Sequence, residues 1–218
     1  MDFQWAVVLE ALPSLWQGAQ LSLYIASVGL AGGIVLGALA GTCRAYGHPL
    51  LNVLTQCYIE LIRGTPMVVQ VMFVYFALPQ LLGVRVDPLD AAIFAITINS
   101  SAYLAEVVRG ALLSVGVGLR NAGLALGLPF YKVVYYILGP VAFRRLIAPL
   151  GNQCIISLKD TSLFIVIGVG ELTRQGQEIM ASNFRAIEIW SAVALFYLLM
   201  TGSLTLILRL IEKRMPIL

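Results

Sequence analysis

The apolar residues of this chain gather into five long runs separated by short polar connectors. A helix that crosses the hydrocarbon core of a bilayer needs about 20 mostly apolar residues. Runs near Leu21–Thr42, Thr65–Leu82, Leu89–Val108, Ala148–Val169 and Trp190–Leu210 meet that requirement. The pattern therefore predicts an all-α, polytopic membrane protein with five transmembrane helices. The stretch Met1–Gln20 is less apolar and contains Pro13 and two tryptophans, which suits the membrane interface, where Trp is favoured. The expected organisation is an interfacial segment at 1–18, a membrane domain at 19–210 and a tail at 211–218. Gly29, Gly32, Gly33, Gly37 and Gly41 in the first run predict close packing of another backbone against it. No internal repeat or low-complexity linker interrupts the pattern.

The longest connection is the loop 113–142. Within it, "RNAGLALGL" reads as a short helix that stops near Gly127, with Pro129 just beyond, because Gly past a helix end and Pro soon after are stop signals. A second helical stretch is expected at Phe130–Leu138. Two short amphipathic helices standing out of the membrane would offer a surface to another protein.

Composition agrees with this reading. The chain is 218 residues long, 60% hydrophobic and 11% charged, whereas soluble domains carry about 25% charged residues. Its mean hydropathy is +0.90. The net charge of +3 comes without any basic run, so nucleic acid is not an expected partner. Cys43, Cys57 and Cys154 have no metal-ligand spacing and read as small buried apolar residues, and the one histidine, His48, sits in a polar connector. The start of the chain lacks the basic segment of a cleaved signal peptide.

Lysine and arginine set the expected orientation. With the N-terminus outside, the inner side holds Arg44, Arg63, Arg109, Arg120, Lys132, Arg144, Arg145, Arg209, Lys213 and Arg214, ten in all, against Arg85, Arg174 and Arg185 outside. The N-terminus is therefore placed outside, the C-terminus inside and the loop 113–142 in the cytoplasm.

The polar residues inside the spans are the candidates for function, since an ionisable group there is costly and faces a bundle interior or a wet cavity. At about 100° per residue, Gln153, Ser157 and Asp160 share a narrow arc of the fourth span, with Asn152 and Thr161 at its edges. In the third span Asn99, Tyr103 and Glu106 share a face, flanked by Ser100 and Ser101. Lys159 points about 100° away from Asp160. It has three readings: pairing with another acid, snorkelling outward, or joining Asp160 in a structural ion pair. Glu60 and Arg63 can form an ion pair at the inner boundary, and Pro66 suits a first helical turn.

The loop resembles the EAA loop of permease subunits of bacterial ABC importers: Glu-Ala-Ala, a Gly four residues after the last Ala, then Ile-x-Leu-Pro. Ala122, Gly127, Ile137 and Pro140 match in spacing, while Asn121, Gly123 and Gly139 stand where Glu, Ala and Leu are usual. "ELIRGTPMVVQVMFVYFALPQ" and "INSSAYLAEVVRGAL" resemble the polar amino acid permeases. "LKDTSL", "ELTRQGQEI" and "NFRAIEIWSAVALFYL" resemble their glutamine-specific members in particular.

That resemblance implies a type I importer permease fold in the bacterial inner membrane. It implies a docking helix at Arg120–Leu128 with Arg120, Asn121, Ala122, Gly123, Gly127, Ile137 and Pro140, and no cofactor on this chain. Its implied partners are an ATP-binding subunit carrying ATP and magnesium, a periplasmic amino acid-binding protein and a second permease copy. The chain itself has no G-x-x-x-x-G-K-[ST] run and no credible Ser/His/Asp set, so it is not expected to be an enzyme. For a zwitterionic solute, Asp160 suits the ammonium; Asn99, the serines and backbone donors suit the carboxylate; Gln153 and Asn152 suit a side-chain amide. A stand-alone, ion-coupled secondary transporter is the alternative. Such folds are often built of two related halves, which this chain lacks, and the docking-type loop would then have no purpose.

Overall fold

The computed structural model describes residues 3–214. Eight helical elements follow one another: α1 (Trp5–Tyr46), α2 (Pro49–Arg63), α3 (Met67–Leu82), α4 (Pro88–Ser114), α5 (Val117–Ala125), α6 (Phe130–Ile167), α7 (Leu172–Asn183) and α8 (Ala186–Arg214). Among the described residues there is no strand. α1, α4, α6 and α8 are each long and apolar enough to cross a membrane, and α2 with α3 qualify together as one span bent by 104°.

Packing makes that bent pair a single crossing. Gly29, Gly33, Gly37 and Gly41 of α1 lie against Ile96, Ser100, Leu104 and Val108 of α4, so the contacts advance together and the two helices run parallel. The chain must therefore return once between them, and α2–α3 does so. A Cβ on Gly29 would come within 2.7 Å of Ile96 and one on Gly41 within 2.5 Å of the Ala105 carbonyl, so nothing larger than hydrogen fits this seam. The expected small-residue packing face is this α1–α4 contact. α4 is the central helix, most of its length being buried, whereas α8 buries little.

Several expected boundaries move. α1 begins at Trp5 rather than Leu21, and residues 5–18 are its first turns. Ala11, Leu15 and Ala19 are buried there against Leu172, Ile189, Ala192 and Val193 of α7 and α8. α1 holds 42 residues, about 63 Å at 1.5 Å each, and overreaches a ~30 Å hydrocarbon core. The second span extends back through α2, whose N-cap is His48: its Nδ1 accepts from Leu50 N at 3.3 Å. The fourth span starts at Phe130, so the loop 113–142 shrinks to one short helix, α5, and its flanking turns, and the second projecting helix is instead the start of α6. α8 exceeds the expected Trp190–Leu210 at both ends. Of the expected tail, residues 211–214 complete α8 and 215–218 lie outside the described residues, as do 1–2 of the N-terminal segment.

One local rule appears twice. Wide π turns occupy Phe73–Ala77 and Val134–Leu138, and each is followed by a proline, Pro79 and Pro140. A proline lacks the N–H for the regular bond, and its ring clashes with the carbonyl four residues back. The wider turn takes up that clash without ending the helix.

Candidate functional site

The break between α2 and α3 is built by "RGTPMVVQ". Gly64 ends α2, its N–H donating to the Glu60 carbonyl at 2.8 Å, and Pro66 starts α3. The carbonyls left open at a helix end must find donors, all the more in hydrocarbon. Gln70 supplies them: its Nε2 donates to Ile62 O at 2.7 Å and to Thr65 O at 3.0 Å. Its Oε1 accepts from Asn99 Nδ2 of α4 at 3.0 Å. One glutamine therefore holds the break and ties it to the central helix.

A cavity of about 560 Å³ opens at this break, lined by Arg63, Gly64, Thr65, Pro66, Met67, Asn99, Tyr103, Gln153, Ile156 and Asp160. Irregular backbone at membrane depth is tolerated where it lines a cavity, and the positive end of α3 stands at this wall. The Arg63 guanidinium lies over the Tyr103 ring, 5.3 Å from its centroid. Among the described residues neither Arg63 nor Asp160 has an ion-pair partner, and the Asp160 carboxylate accepts no hydrogen bond from a side chain. The cavity thus presents one cation, one anion and the amides of Asn99 and Gln153.

Of the residues expected to line a path, the structure brings Asn99, Tyr103, Gln153 and Asp160 together here. Ser157 is buried just behind, its Oγ accepting from Gln153 Nε2 at 3.4 Å. Ser100 faces Gly33 in the α1–α4 seam and donates to Ile96 O at 2.6 Å. Thr161 is buried and turned onto Leu158 O at 2.8 Å. Asn152 is exposed, outside the cavity lining. Glu106 leaves the face it shares with Asn99 and Tyr103 because two arginines claim it: Arg109 Nε and Nη2 donate to Oε2 at 3.0 and 2.8 Å, and Arg44 Nε of α1 lies 3.5 Å from Oε1. Lys159 is exposed, and among the described residues it pairs with no acid. The expected Glu60–Arg63 pair does not form; Glu60 accepts from Gln56 Nε2 at 2.6 Å.

Arg63 is the cavity residue that sequence reasoning assigned elsewhere. The signal was present in "RGTP": a helix ended by Gly and restarted by Pro aims its last side chain across the break rather than along the surface.

At the far end of the bundle, α5 closes as expected. Gly127 is left-handed at φ +76°; its N–H donates to Leu124 O at 2.9 Å, and Leu128 N–H to Gly123 O at 3.3 Å, a paired C-terminal cap. Gly123 is buried against Val133 and Ile137 of α6, and a Cβ there would come within 2.7 Å of the Ile137 methyl. Glycine in place of the usual alanine fits that contact. Asn121 and Ala122 are exposed, and the Arg120 guanidinium lies 5.3 Å over the Phe130 ring. Pro140 belongs to the first turns of α6, after the π turn that holds Ile137. α5 exposes Val117, Leu119 and Leu124, and Leu126 is exposed just past its end.

Comparison with known proteins places the chain. The family described as "Binding-protein-dependent transport system inner membrane component" matches residues 33–216. The glutamine transport system permease protein of Escherichia coli (strain K12) is 58% identical over 219 residues, covering 100% of both chains. The arginine transport system permease protein of Bacillus subtilis (strain 168) is 30% identical over 215 residues, 99% of this chain and 98% of that one. Among solved structures, an amino acid ABC transporter crystallised with histidines superposes with a TM-score of 0.91 at 28% identity, over 98% of this chain and 100% of the other. An inward-facing methionine ABC transporter shares the fold, with a TM-score of 0.82 at 20% identity over 93% and 96%.

Proposed function

Because the chain belongs to the family of binding-protein-dependent transport system inner membrane components, we propose that it forms the solute path of an ATP-driven importer whose cargo is L-glutamine. The observation that carries this reading is an acid and a base, each without an ion-pair partner among the described residues, lining one cavity at a broken helix. A free amino acid carries one ammonium and one carboxylate. Asp160 accepts from the first, and Arg63, with the positive end of α3, donates to the second. The amides of Gln153 and Asn99 offer neutral donors and acceptors to a side-chain amide, which supports glutamine over a charged cargo. The full-length likeness to the E. coli glutamine permease supports the same choice.

In this reading the N-terminus of α1 lies outside and α5 lies in the cytoplasm, following the lysine and arginine bias. The exposed apolar face of α5 docks one ATP-binding subunit, which carries ATP and magnesium and performs the hydrolysis. Two permease copies stand side by side about a twofold axis, and a periplasmic amino acid-binding protein delivers cargo at the α7 end. ATP favours the closed pair of ATPases, and that differential affinity shifts the permease between outward and inward access.

The test is gentle purification of the tagged chain from its membrane with everything retained identified by mass spectrometry. An ATP-binding protein in equal number is the expected result. Leu126, 79% exposed at the tip of α5, provides the matching variant: Leu126→Asp leaves the fold intact and lowers ATPase recovery and uptake together. The chain retained alone, with uptake intact after reconstitution by itself, would overturn the importer reading in favour of an ion-coupled carrier.

A further inference from the structure

At the cavity wall, α6 changes its winding. Its α-helical part ends at Asp160, and Thr161–Ile167 continues as a 3₁₀ helix of 7 residues closed by left-handed Gly168. Runs of this kind longer than three or four residues are uncommon, because the hydrogen-bond geometry is poorer. A segment of this kind gains from an external brace, and this one begins at the residue that follows Asp160.

The brace is a buried polar cluster that the cavity itself does not use. Glu171 has no exposed surface. Its Oε2 accepts from the Tyr197 hydroxyl of α8 at 3.1 Å, and that hydroxyl lies 3.0 Å from Thr173 Oγ1. Thr161, the first residue of the tightened segment, is fully buried and sits beside the same hydroxyl. Glu171 also caps α7, accepting from Thr173 N at 2.9 Å and Arg174 N at 2.8 Å, while Leu172 N donates to Ser22 Oγ of α1 at 3.2 Å. A Cβ on Gly18 would come within 2.8 Å of Leu172 Cα, so α1 presses directly on this corner. One carboxylate therefore joins α7 and α8 at the residue that follows Asp160, and α1 clamps the joint. Burial is the largest influence on that carboxyl and pushes it above the usual range, against the pull of its backbone donors.

We propose that Tyr197 and Glu171 are positioning residues for the solute cavity: they hold the point at which α6 tightens and so aim the Asp160 carboxylate at the cargo ammonium. Neither touches the cargo. The inference rests on the cavity reading given above.

The experiment is equilibrium binding of tritiated L-glutamine to the purified permease–ATPase complex, recording Kd and number of sites, with thermal unfolding alongside. Tyr197→Phe and Glu171→Gln keep shape and remove one hydroxyl or one charge. Each is expected to raise Kd about fivefold or more with the number of sites unchanged. The double variant should do no more than the stronger single, because both act through one cluster. Unchanged Kd with fewer competent sites would mean a merely structural role and overturn the proposal. Asp160→Asn separates the two claims. If it raises Kd while Tyr197→Phe does not, only the positioning role fails. If Asp160→Asn leaves Kd unchanged, or the unaltered complex binds no L-glutamine, the cavity reading fails and the positioning role with it.

Discussion

Two carboxylates inside the spans, Glu106 and Asp160, stand in opposite surroundings. Glu106 meets Arg109 and Arg44, which bring α1 and α4 together, and Arg44 Nη1 also donates to Asn52 and Gln56 of α2. Its second oxygen and Arg44 Nε face each other at 3.5 Å with no other partner among the described residues. This is ion pairing without a hydrogen bond, and it holds only while all three helices stay in place. Among the described residues Asp160 forms no ion pair, and it lines a cavity of about 560 Å³ together with Arg63, which forms none either. The difference teaches what an intramembrane charge is for. A charge neutralised from its own chain fixes helices; a charge left without an ion-pair partner among the described residues is the one that the proposed function gives to the cargo. Expression of charge alone does not tell them apart, since both are carboxylates on apolar helices.

The sharpest way to break this comparison is to exchange the roles. Glu106→Gln removes one partner of a partly buried cluster and leaves two guanidinium groups facing each other. It should cost about 3 kcal/mol or more in stability, seen as a lowered thermal midpoint of the detergent-solubilised complex, with Kd for L-glutamine unchanged in the folded fraction. A Kd that rose with Glu106→Gln would place Glu106 on the path after all. Arg63→Gln should do the reverse. The loss of one charge-assisted contact is worth about 2 kcal/mol, a roughly thirtyfold weaker Kd, with the thermal midpoint held. Stability lost without affinity lost would return Arg63 to the structural class. The smallest effect belongs to Lys159. It is exposed and unpaired among the described residues, so Lys159→Met should change stability by no more than about 0.5 kcal/mol and leave Kd alone. A larger effect would revive the ion pair with Asp160 that the structure does not form.

Legibility followed locality. The spans, the glycine seam and the stop at Gly127 came from spacing, because a small-residue repeat or a Gly-x-Pro stop acts within a few residues of itself. The helical arc correctly grouped Gln153 and Asp160, and the i, i+4 step grouped Asn99 with Tyr103. The same periodicity misled at Glu106, because face-sharing says which way a side chain starts and nothing about what waits there; Arg44 is 62 positions away and on another helix. Asn152 and Thr161, at the edges of the arc, lie outside the cavity lining. Arg63 was misread because its neighbour at i−3, Glu60, looked like a sufficient partner, while Gln56 had already taken that carboxylate.

By itself, then, the order of residues determined that this chain is a helical membrane protein, which of its apolar runs are helical, which of its faces pack closely, and which few polar groups must answer for their presence in hydrocarbon. These follow from transfer free energy and helical geometry, which act residue by residue. Only the tertiary structure decided which of those polar groups are satisfied. It bent α2 against α3 by 104°, gave the open carbonyls to Gln70, spent two arginines on Glu106, and left Arg63 and Asp160 lining one cavity. The physical reason is that satisfaction of a charge is a property of pairs, and the members of those pairs are brought within ångströms of each other only when distant helices pack.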